Sequence, residues 1–288
     1  MKLRRLFRIS RPRFWIYELG PYVIGIVAAS AGSIEIWYSL PVLIFFVFFT
    51  YSANIYIYGI NDIYDYETDK RNPKKVSYES LVLPNERKGL ALHIMITSLP
   101  FLVYAFFTTS LATFCALLAF FFFAGFYSAG PIRAKARPFL DSIFSAGHYI
   151  ATAGFSYLLC SELLNSPINT KIFIISLTAG MLWAIAMHAY SAVLDIQADR
   201  DANLSTIATT LERQKTIILC TLLYALSGLL SYPFLGVISI VLTTIYVVFM
   251  ILSLRADEKN LFRLYTYFPT INTQPGMTIF FTILLQWI

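Results

Sequence analysis

The sequence predicts an all-α polytopic membrane bundle of about nine transmembrane helices around a central cavity open to the cytoplasmic side. Composition is the first reason: 58% of the 288 residues are hydrophobic and only 13% are charged, against about 25% charged residues in soluble domains. The second reason is that apolar runs of about 20 residues, the length that crosses a bilayer, recur throughout the chain. No long polar linker separates them, so we interpret residues 1–288 as a single integral-membrane domain.

The apolar runs locate the individual spans. The first run follows a basic N-terminus, which is also typical of a signal peptide, but it is close to spanning length and the topology below needs it. The last run is the least regular because it contains Pro275 and Gly276. The predicted spans are 14–33, 39–60, 90–108, 111–127, 139–160, 172–194, 215–231, 234–254 and 270–288.

Basic residues distinguish the two faces of this bundle. All of them except Lys171 precede the first predicted span or lie in the connections after the second, fourth, sixth and eighth spans. The positive-inside rule makes that face, and with it the N-terminus, cytoplasmic. The net charge of +6 is explained by this topology and by anionic membrane lipid, so we expect no nucleic-acid partner. We expect a multi-pass protein of the cell membrane, which is the inner membrane in a prokaryote.

Two acidic sets follow apolar runs on the predicted cytoplasmic face. The first set has carboxylates at i, i+3 and i+7 and the second at i and i+4, so each set shares one face of a helix. Carboxylates at the border of a bilayer are costly unless they pair or hold a cation. The predicted metal ligands are Asn61, Asp62, Asp65 and Asp69 in the first set and Asp195 and Asp199 in the second.

These oxygen ligands indicate a particular chemistry. Mg²⁺ usually takes one or two protein carboxylates and completes its shell with substrate phosphates, so two sets fit ions bridged by a diphosphate. A metal-bound diphosphate is a good leaving group, and its departure from an allylic carbon leaves an isoprenyl carbocation. A water-excluding membrane cavity suits that cation. Basic residues of the same face would bind the remaining phosphate oxygens; the candidates are Arg11, Lys70, Arg71 and Arg133.

Three stretches resemble the UbiA-type intramembrane prenyltransferases. Asn61-Asp62-x-x-Asp65-x-x-x-Asp69 is similar to the first aspartate-rich motif of that family, and Asp195-x-x-x-Asp199 is similar to the second. Residues 127–135 resemble the Tyr-Ser/Thr…Pro-x-Arg-x-Lys segment between the family's fourth and fifth helices. The resemblance covers nearly the whole chain in order. It implies a nine-helix bundle with Mg²⁺-dependent transfer of a prenyl group to a lipophilic acceptor, and it adds Tyr127 and Lys135 to the diphosphate ligands.

A finer resemblance is to the carotenoid branch of that family. It rests on Ser10-Arg11-Pro12-Arg13-Phe14-Trp15, Asn72-Pro73-Lys74-Lys75 and the stretch from His188 to Asp195. That branch contains lycopene elongases, so the resemblance implies dimethylallyl diphosphate as the donor and lycopene as the acceptor. His188 lies seven residues before Asp195 on the same helical face, where it could take a proton from the product cation or orient an acceptor. The expected catalytic residues are Asp65, Asp195, Lys135 and His188.

Other functions stay open at this point. An aromatic quinone precursor could replace lycopene as the acceptor, and a terpene cyclase would share the ionising site without a second substrate. The Asp-Gly-x-x-Ala-Arg pattern expected of a CDP-alcohol phosphotransferase is absent. A cation transporter would place its acids near the bilayer midplane, whereas both sets here lie at one face. Asp141, which begins the fifth predicted span, is expected to cap that helix or to contact the site.

Overall fold

The computed structural model describes residues 2–66, 70 and 81–286, and among these residues it contains helices and no strand. The chain divides into two compact units. The first comprises Met1–Arg133 and Ala151–Ser166, and the second comprises Ala134–Ile150 and Pro167–Ile288. The expected all-helical class is confirmed, and each unit is described by itself below.

The first unit is formed by helices from the N-terminal half of the chain and by the end of α7. Helices α3 and α4 are joined without a break by a π-helical turn, Phe48–Ser52. Asn54 donates from Nδ2 to the carbonyl oxygens of Phe49 and Thr50, at 3.0 Å each, and so satisfies backbone acceptors at this turn. The helices are α1 (Leu3–Ile9), α2 (Ile16–Ser30), α3 (Leu40–Val47), α4 (Ala53–Tyr64), α5 (Arg87–Thr108), α6 (Leu111–Ser128) and α7 (Leu140–Leu163).

Aromatic side chains fill the core of the first unit. Phe45 packs edge-on against Phe155 with ring centroids 4.6 Å apart, and Tyr22 donates a hydrogen bond to the carbonyl of Val42. Gly25 lets α2 approach α7 closely, because a Cβ at this position would lie only 2.4 Å from the Ala153 carbonyl oxygen. The close backbone approach therefore depends on glycine.

The second unit contains the remaining helices and the start of α7. Tyr190 forms the centre of its core: its ring packs against Phe268 at 4.7 Å, and its hydroxyl hydrogen-bonds with Ser253. Gly236, with φ 55, forms the turn between two of the long helices, a conformation that glycine adopts at no steric cost. The helices are α8 (Thr170–Ala192), α9 (Ile196–Asp201), α10 (Ile207–Leu235), α11 (Val237–Arg255) and α12 (Glu258–Leu285).

Each of the nine predicted spans falls on a helix of the structure, although two boundaries were wrong. Helix α10 begins at Ile207 and not at 215, because the Thr206 hydroxyl caps its N-terminus; Glu212, with φ 62, then interrupts it. Helix α12 begins at Glu258 and not at 270, because Asp257 caps it. In the described part of the chain, six helical stretches are long and apolar enough to cross a membrane. Nine crossings therefore stays a prediction.

Candidate active site

Asp62 is the more buried of the two carboxylates of the first acidic set that the structure describes. It lies in the last turn of α4 and is 2% exposed. Arg11 reaches it from the segment before α2, with Nη2 3.0 Å from Oδ1. The same guanidinium lies over the ring of Tyr58, 4.6 Å from its centroid. A buried carboxylate is costly unless it is paired, and Arg11 supplies an oppositely charged partner for Asp62.

Asp65 ends α4 as its C-cap residue, and it too is buried. Helix α4 ends at Tyr64, and Asp65 follows it with φ −104° and ψ 11° while its N–H still donates to the carbonyl of Asn61. The predicted continuation of the acidic face to Asp69 lies outside the described residues. Arg133 approaches the carboxylate, with Nη2 3.9 Å from Oδ1, and has a left-handed backbone with φ 44. The side chain of Arg133 is half exposed.

Asn61 is anchored to the end of α6. Its Nδ2 donates to Oγ of Ser128 at 3.0 Å, and Ser128 is buried. This bond anchors the nitrogen of the Asn61 side-chain amide, and the carbonyl oxygen of the same amide is its hydrogen-bond acceptor. Tyr127 precedes Ser128 in the last turn of α6 and is half-buried. Sequence reasoning missed Ser128. The available signal was its position beside Tyr127 in residues 127–135, one of the three stretches that resemble the family.

The remaining residues predicted for this unit follow Asp65. Lys70 is exposed, and its Nζ lies 5.7 Å from the centroid of the Tyr66 ring. Asp69 and Arg71, predicted as a metal ligand and a diphosphate ligand, lie outside the described residues.

The second acidic set lies at a break between α8 and α9. Asp195 ends a short 3-10 turn, Val193–Asp195, and is exposed, whereas Asp199 lies within α9 and is half-buried. The hydroxyl of Thr206 donates to Oδ2 of Asp199 at 3.2 Å. The carboxylates of Asp195 and Asp141 are near enough to Asp199 for their charges to act on it. Such mutual repulsion favours the binding of a cation.

Asp141 connects α7 to the start of α10. Its Oδ2 accepts the backbone N–H of Ile207 at 2.9 Å, so it caps the start of α10. Its Oδ1 is buried and has no hydrogen-bond partner among the described residues. Asp141 thus places an additional carboxylate near Asp199, and its long-range cap could not be read from the sequence.

His188 and Lys135 belong to the same unit. His188 lies in α8, and its Nδ1 is 3.1 Å from Oγ of Ser142, a fully buried residue in the first turn of α7. This contact fixes the orientation of the imidazole. Lys135 lies in the short turn Ala134–Ala136 and is half-buried.

The described carboxylates of each unit are too few to surround a metal ion by themselves, and they suit an ion that also takes ligands from the substrate. Within the described ranges, no three His, Cys, Asp or Glu side chains form a group that could hold a metal ion. Two carboxylates in each unit nevertheless fit Mg²⁺, because this ion completes its shell with substrate phosphates and water. The donor set, oxygen atoms without histidine or thiolate, is also the one that Mg²⁺ prefers.

Comparison with known proteins identifies the family. The model of the UbiA prenyltransferase family matches residues 19–264. The chain belongs to this family. UbiA enzymes transfer prenyl groups within membranes, so the chain is a multi-pass membrane prenyltransferase, as the aspartate motifs predicted.

Two relatives within the family make the resemblance more specific. The chain is 34% identical over 275 residues to a lycopene elongase/hydratase of Halobacterium salinarum, covering 95% of this chain and 94% of the relative. It is 35% identical over 231 residues to a lycopene elongase/hydratase of Corynebacterium glutamicum, covering 80% and 77% of the two chains. The resemblance to the carotenoid branch is therefore confirmed.

Solved structures of UbiA homologues share the fold. A UbiA homologue from Archaeoglobus fulgidus, determined bound to DMAPP and Mg²⁺, has a TM-score of 0.69 at 20% identity and covers 97% of this chain and 99% of its own. An apo UbiA homologue from Aeropyrum pernix K1 has a TM-score of 0.70 at 15% identity, covering 96% and 99%. At such low identity the likeness is one of fold.

Proposed function

We propose that this enzyme transfers a dimethylallyl group from dimethylallyl diphosphate to lycopene, with Mg²⁺ as cofactor, in the synthesis of C50 carotenoids. The observation that carries the proposal is the 34% identity to the Halobacterium salinarum lycopene elongase/hydratase across 95% of the chain. The DMAPP and Mg²⁺ bound by the Archaeoglobus fulgidus homologue support the choice of donor and metal. Membership of a prenyltransferase family leaves no support for a cation transporter.

Both acidic sets are proposed to bind Mg²⁺. Mg²⁺, when bound, draws negative charge from the diphosphate and so makes it a better leaving group. The proposed metal ligands are the side-chain oxygens of Asn61, Asp62, Asp65, Asp195 and Asp199. The buried position of Asp62 and Asp65 supports this role, because ionised carboxylates in such places need cations. Asp69 belongs to the same proposed set.

Basic and phenolic side chains would bind the diphosphate oxygens that the metal does not coordinate. Guanidinium groups suit this task because their planar N–H donors match phosphate oxygens in pairs. Arg11 and Arg133 already lie beside Asp62 and Asp65. The proposed diphosphate ligands are therefore Arg11, Lys70, Arg71, Tyr127, Arg133 and Lys135, and Lys135 would in addition stabilise the departing diphosphate.

His188 would terminate the reaction. After the new C–C bond forms, the product is a tertiary carbocation, and loss of a proton to the imidazole gives an alkene. Capture of the same cation by water, with the water proton passing to the imidazole, gives an alcohol. Ser142 supports this role because its contact with Nδ1 fixes the orientation of the ring.

We expect His188→Gln to uncouple diphosphate release from product formation. Its prenylated product should fall about 100-fold, a usual contribution of a general base, while allylic diphosphate is still consumed. Ser142→Ala should reduce product by about tenfold at most, the effect of one lost hydrogen bond. Parallel assays of diphosphate release and of carotenoid product measure both quantities. Ser145→Ala is the control, because Ser145 is another buried serine on α7, the helix of Ser142. If His188→Gln still forms one product for each diphosphate released, His188 is not the base.

The acceptor is tested by expressing the chain in a host that makes lycopene. We expect a new carotenoid that carries five or ten additional carbons, identified by chromatography and mass spectrometry. An inactive Asp65→Asn variant in the same host controls for changes caused by the membrane protein itself. An unchanged carotenoid profile beside a new prenylated aromatic compound would replace lycopene by a quinone precursor as the acceptor.

A further inference from the structure

The guanidinium of Arg11 contacts two residues that are one turn apart on α4. Its Cζ lies 4.6 Å from the centroid of the Tyr58 ring, and its Nη2 lies 3.0 Å from Oδ1 of Asp62. Residues at i and i+4 are neighbours on one helical face, so ring and carboxylate form a continuous surface for one cation. No sequence motif includes Tyr58.

The surroundings of this contact restrict water. The side chain of Arg11 is 15% exposed and that of Asp62 is 2% exposed. The ring of Phe14 packs against Tyr58 with centroids 5.9 Å apart. A cation over an aromatic face is attracted more strongly when it is removed from water, so Tyr58 contributes to holding Arg11 here.

The backbone of Arg11 also indicates that its position is imposed. Arg11 has φ 50, a left-handed conformation that is uncommon for residues other than glycine. The conformation is held from outside the residue: Nε1 of Trp15 donates to the carbonyl of Ser10 at 2.9 Å, and Pro12 follows directly. Such conformations persist only where surrounding contacts determine them.

We propose that Tyr58 is a positioning residue, which holds the Arg11 guanidinium beside Asp62 both before and after the carboxylate takes a metal. Before binding, Arg11 balances the charge of Asp62. When Asp62 oxygens are used by a metal, the ion pair between Arg11 and Asp62 weakens, but the ring of Tyr58 keeps the guanidinium in place. The guanidinium donor that faced Asp62 can then bind an anion. This role rests on the proposed function of Asp62 as a metal ligand.

An aromatic ring at position 58 allows Arg11 to change its partner from Asp62 to an anion without leaving its place. A second carboxylate in place of Tyr58 would bind Arg11 but would also compete for the metal, whereas an aromatic face binds the cation and offers no ligand to Mg²⁺. An aliphatic residue would not compete for the metal, but it would not attract the guanidinium either. The chemistry therefore requires an aromatic ring at position 58 and does not require the hydroxyl.

The test compares Tyr58→Leu with Tyr58→Phe in the full-length protein in lipid nanodiscs. Inorganic pyrophosphate with MgCl₂ is titrated at fixed ionic strength, and binding is measured by calorimetry. We expect Tyr58→Leu to weaken binding about tenfold, as expected for a cation–π contact removed from water, and Tyr58→Phe to bind within about twofold of the wild type. In an Arg11→Ala background, Tyr58→Leu should have no further effect, since its partner is gone.

The outcomes separate this role from the proposed function. If the wild type binds Mg²⁺-pyrophosphate and Tyr58→Leu binds equally well, the role of Tyr58 is overturned and the proposed function stands. The same conclusion follows if Tyr58→Leu weakens binding equally with and without Arg11, because the effect would then be structural. If the wild type fails to bind Mg²⁺-pyrophosphate, the proposed function falls, and the role of Tyr58 falls with it.

Discussion

Asp65→Asn and Asp195→Asn should each reduce prenyl transfer on the order of a thousandfold or more, while the protein remains inserted and folded. Asparagine keeps the shape of the side chain and removes its charge, so the variant replaces an anionic ligand by a neutral, weaker one for the metal that stabilises the departing diphosphate. Asp65 is held at the end of α4 by its backbone N–H bond to Asn61, which the substitution preserves. Turnover of radiolabelled dimethylallyl diphosphate in membranes measures the loss.

The matched control for Asp195 is Asp201, the last residue of α9. Asp201 is exposed in α9 and accepts a hydrogen bond from Gln197 at 2.9 Å, so Asp201→Asn should retain nearly full activity. Removal of divalent metal by EDTA should abolish turnover by the wild type, and added Mg²⁺ should restore it. Full activity of Asp65→Asn or Asp195→Asn would reject the metal–diphosphate assignment.

Gly25→Ala should destabilise the first unit, because α2 and α7 approach each other closely at this position. A Cβ at Gly25 would lie 2.0 Å from Oγ of Ser156 and 2.4 Å from the carbonyl oxygen of Ala153. The hydroxyl can rotate away, but the carbonyl belongs to α7 and cannot move without displacing the helix. Such overpacking costs about 1–3 kcal/mol, and we expect a lower midpoint of thermal unfolding in detergent.

Gly20→Ala, in the same helix, is the control for this substitution. A Cβ at Gly20 would meet nothing within 4 Å, and alanine favours a helix by about 1 kcal/mol over glycine. The two variants should therefore shift the unfolding midpoint in opposite directions. A midpoint for Gly25→Ala that equals or exceeds that of Gly20→Ala would show that α2 and α7 can separate at no cost.

The positions of the helices follow closely from local properties of the sequence. Apolar length placed a helix at each predicted span, because that length reflects the bilayer and needs no tertiary information. The start of α10 was eight residues off because a cap at Thr206 extends the helix into polar residues that hydropathy treats as a loop. The hydropathy of the sequence likewise does not indicate the interruption of the helix at Glu212.

The site was predictable in its residue types but not in its contacts. Carboxylates at the ends of apolar runs stand out because ions are costly there, so Asp62 and Asp195 could be selected from the sequence alone. Tyr58, Ser128 and Ser142 could not, since tyrosines and serines are frequent in this chain and ordinarily serve packing. Their partners are also distant: Arg11 is 51 residues from Asp62, and Ser142 is 46 residues from His188. Such pairs become visible only once the chain has folded.

The π-helical turn Phe48–Ser52 sets the direction in which the first acidic set faces. A π turn adds one residue to a helix that otherwise continues, and one residue corresponds to about 100° of rotation. Without that residue, the part of α4 that carries Tyr58 and Asp62 would be rotated away from Arg11, although every side chain would still be present. The orientation of the aspartates is thus encoded some ten residues before them, in a stretch that consists mainly of aromatic core residues.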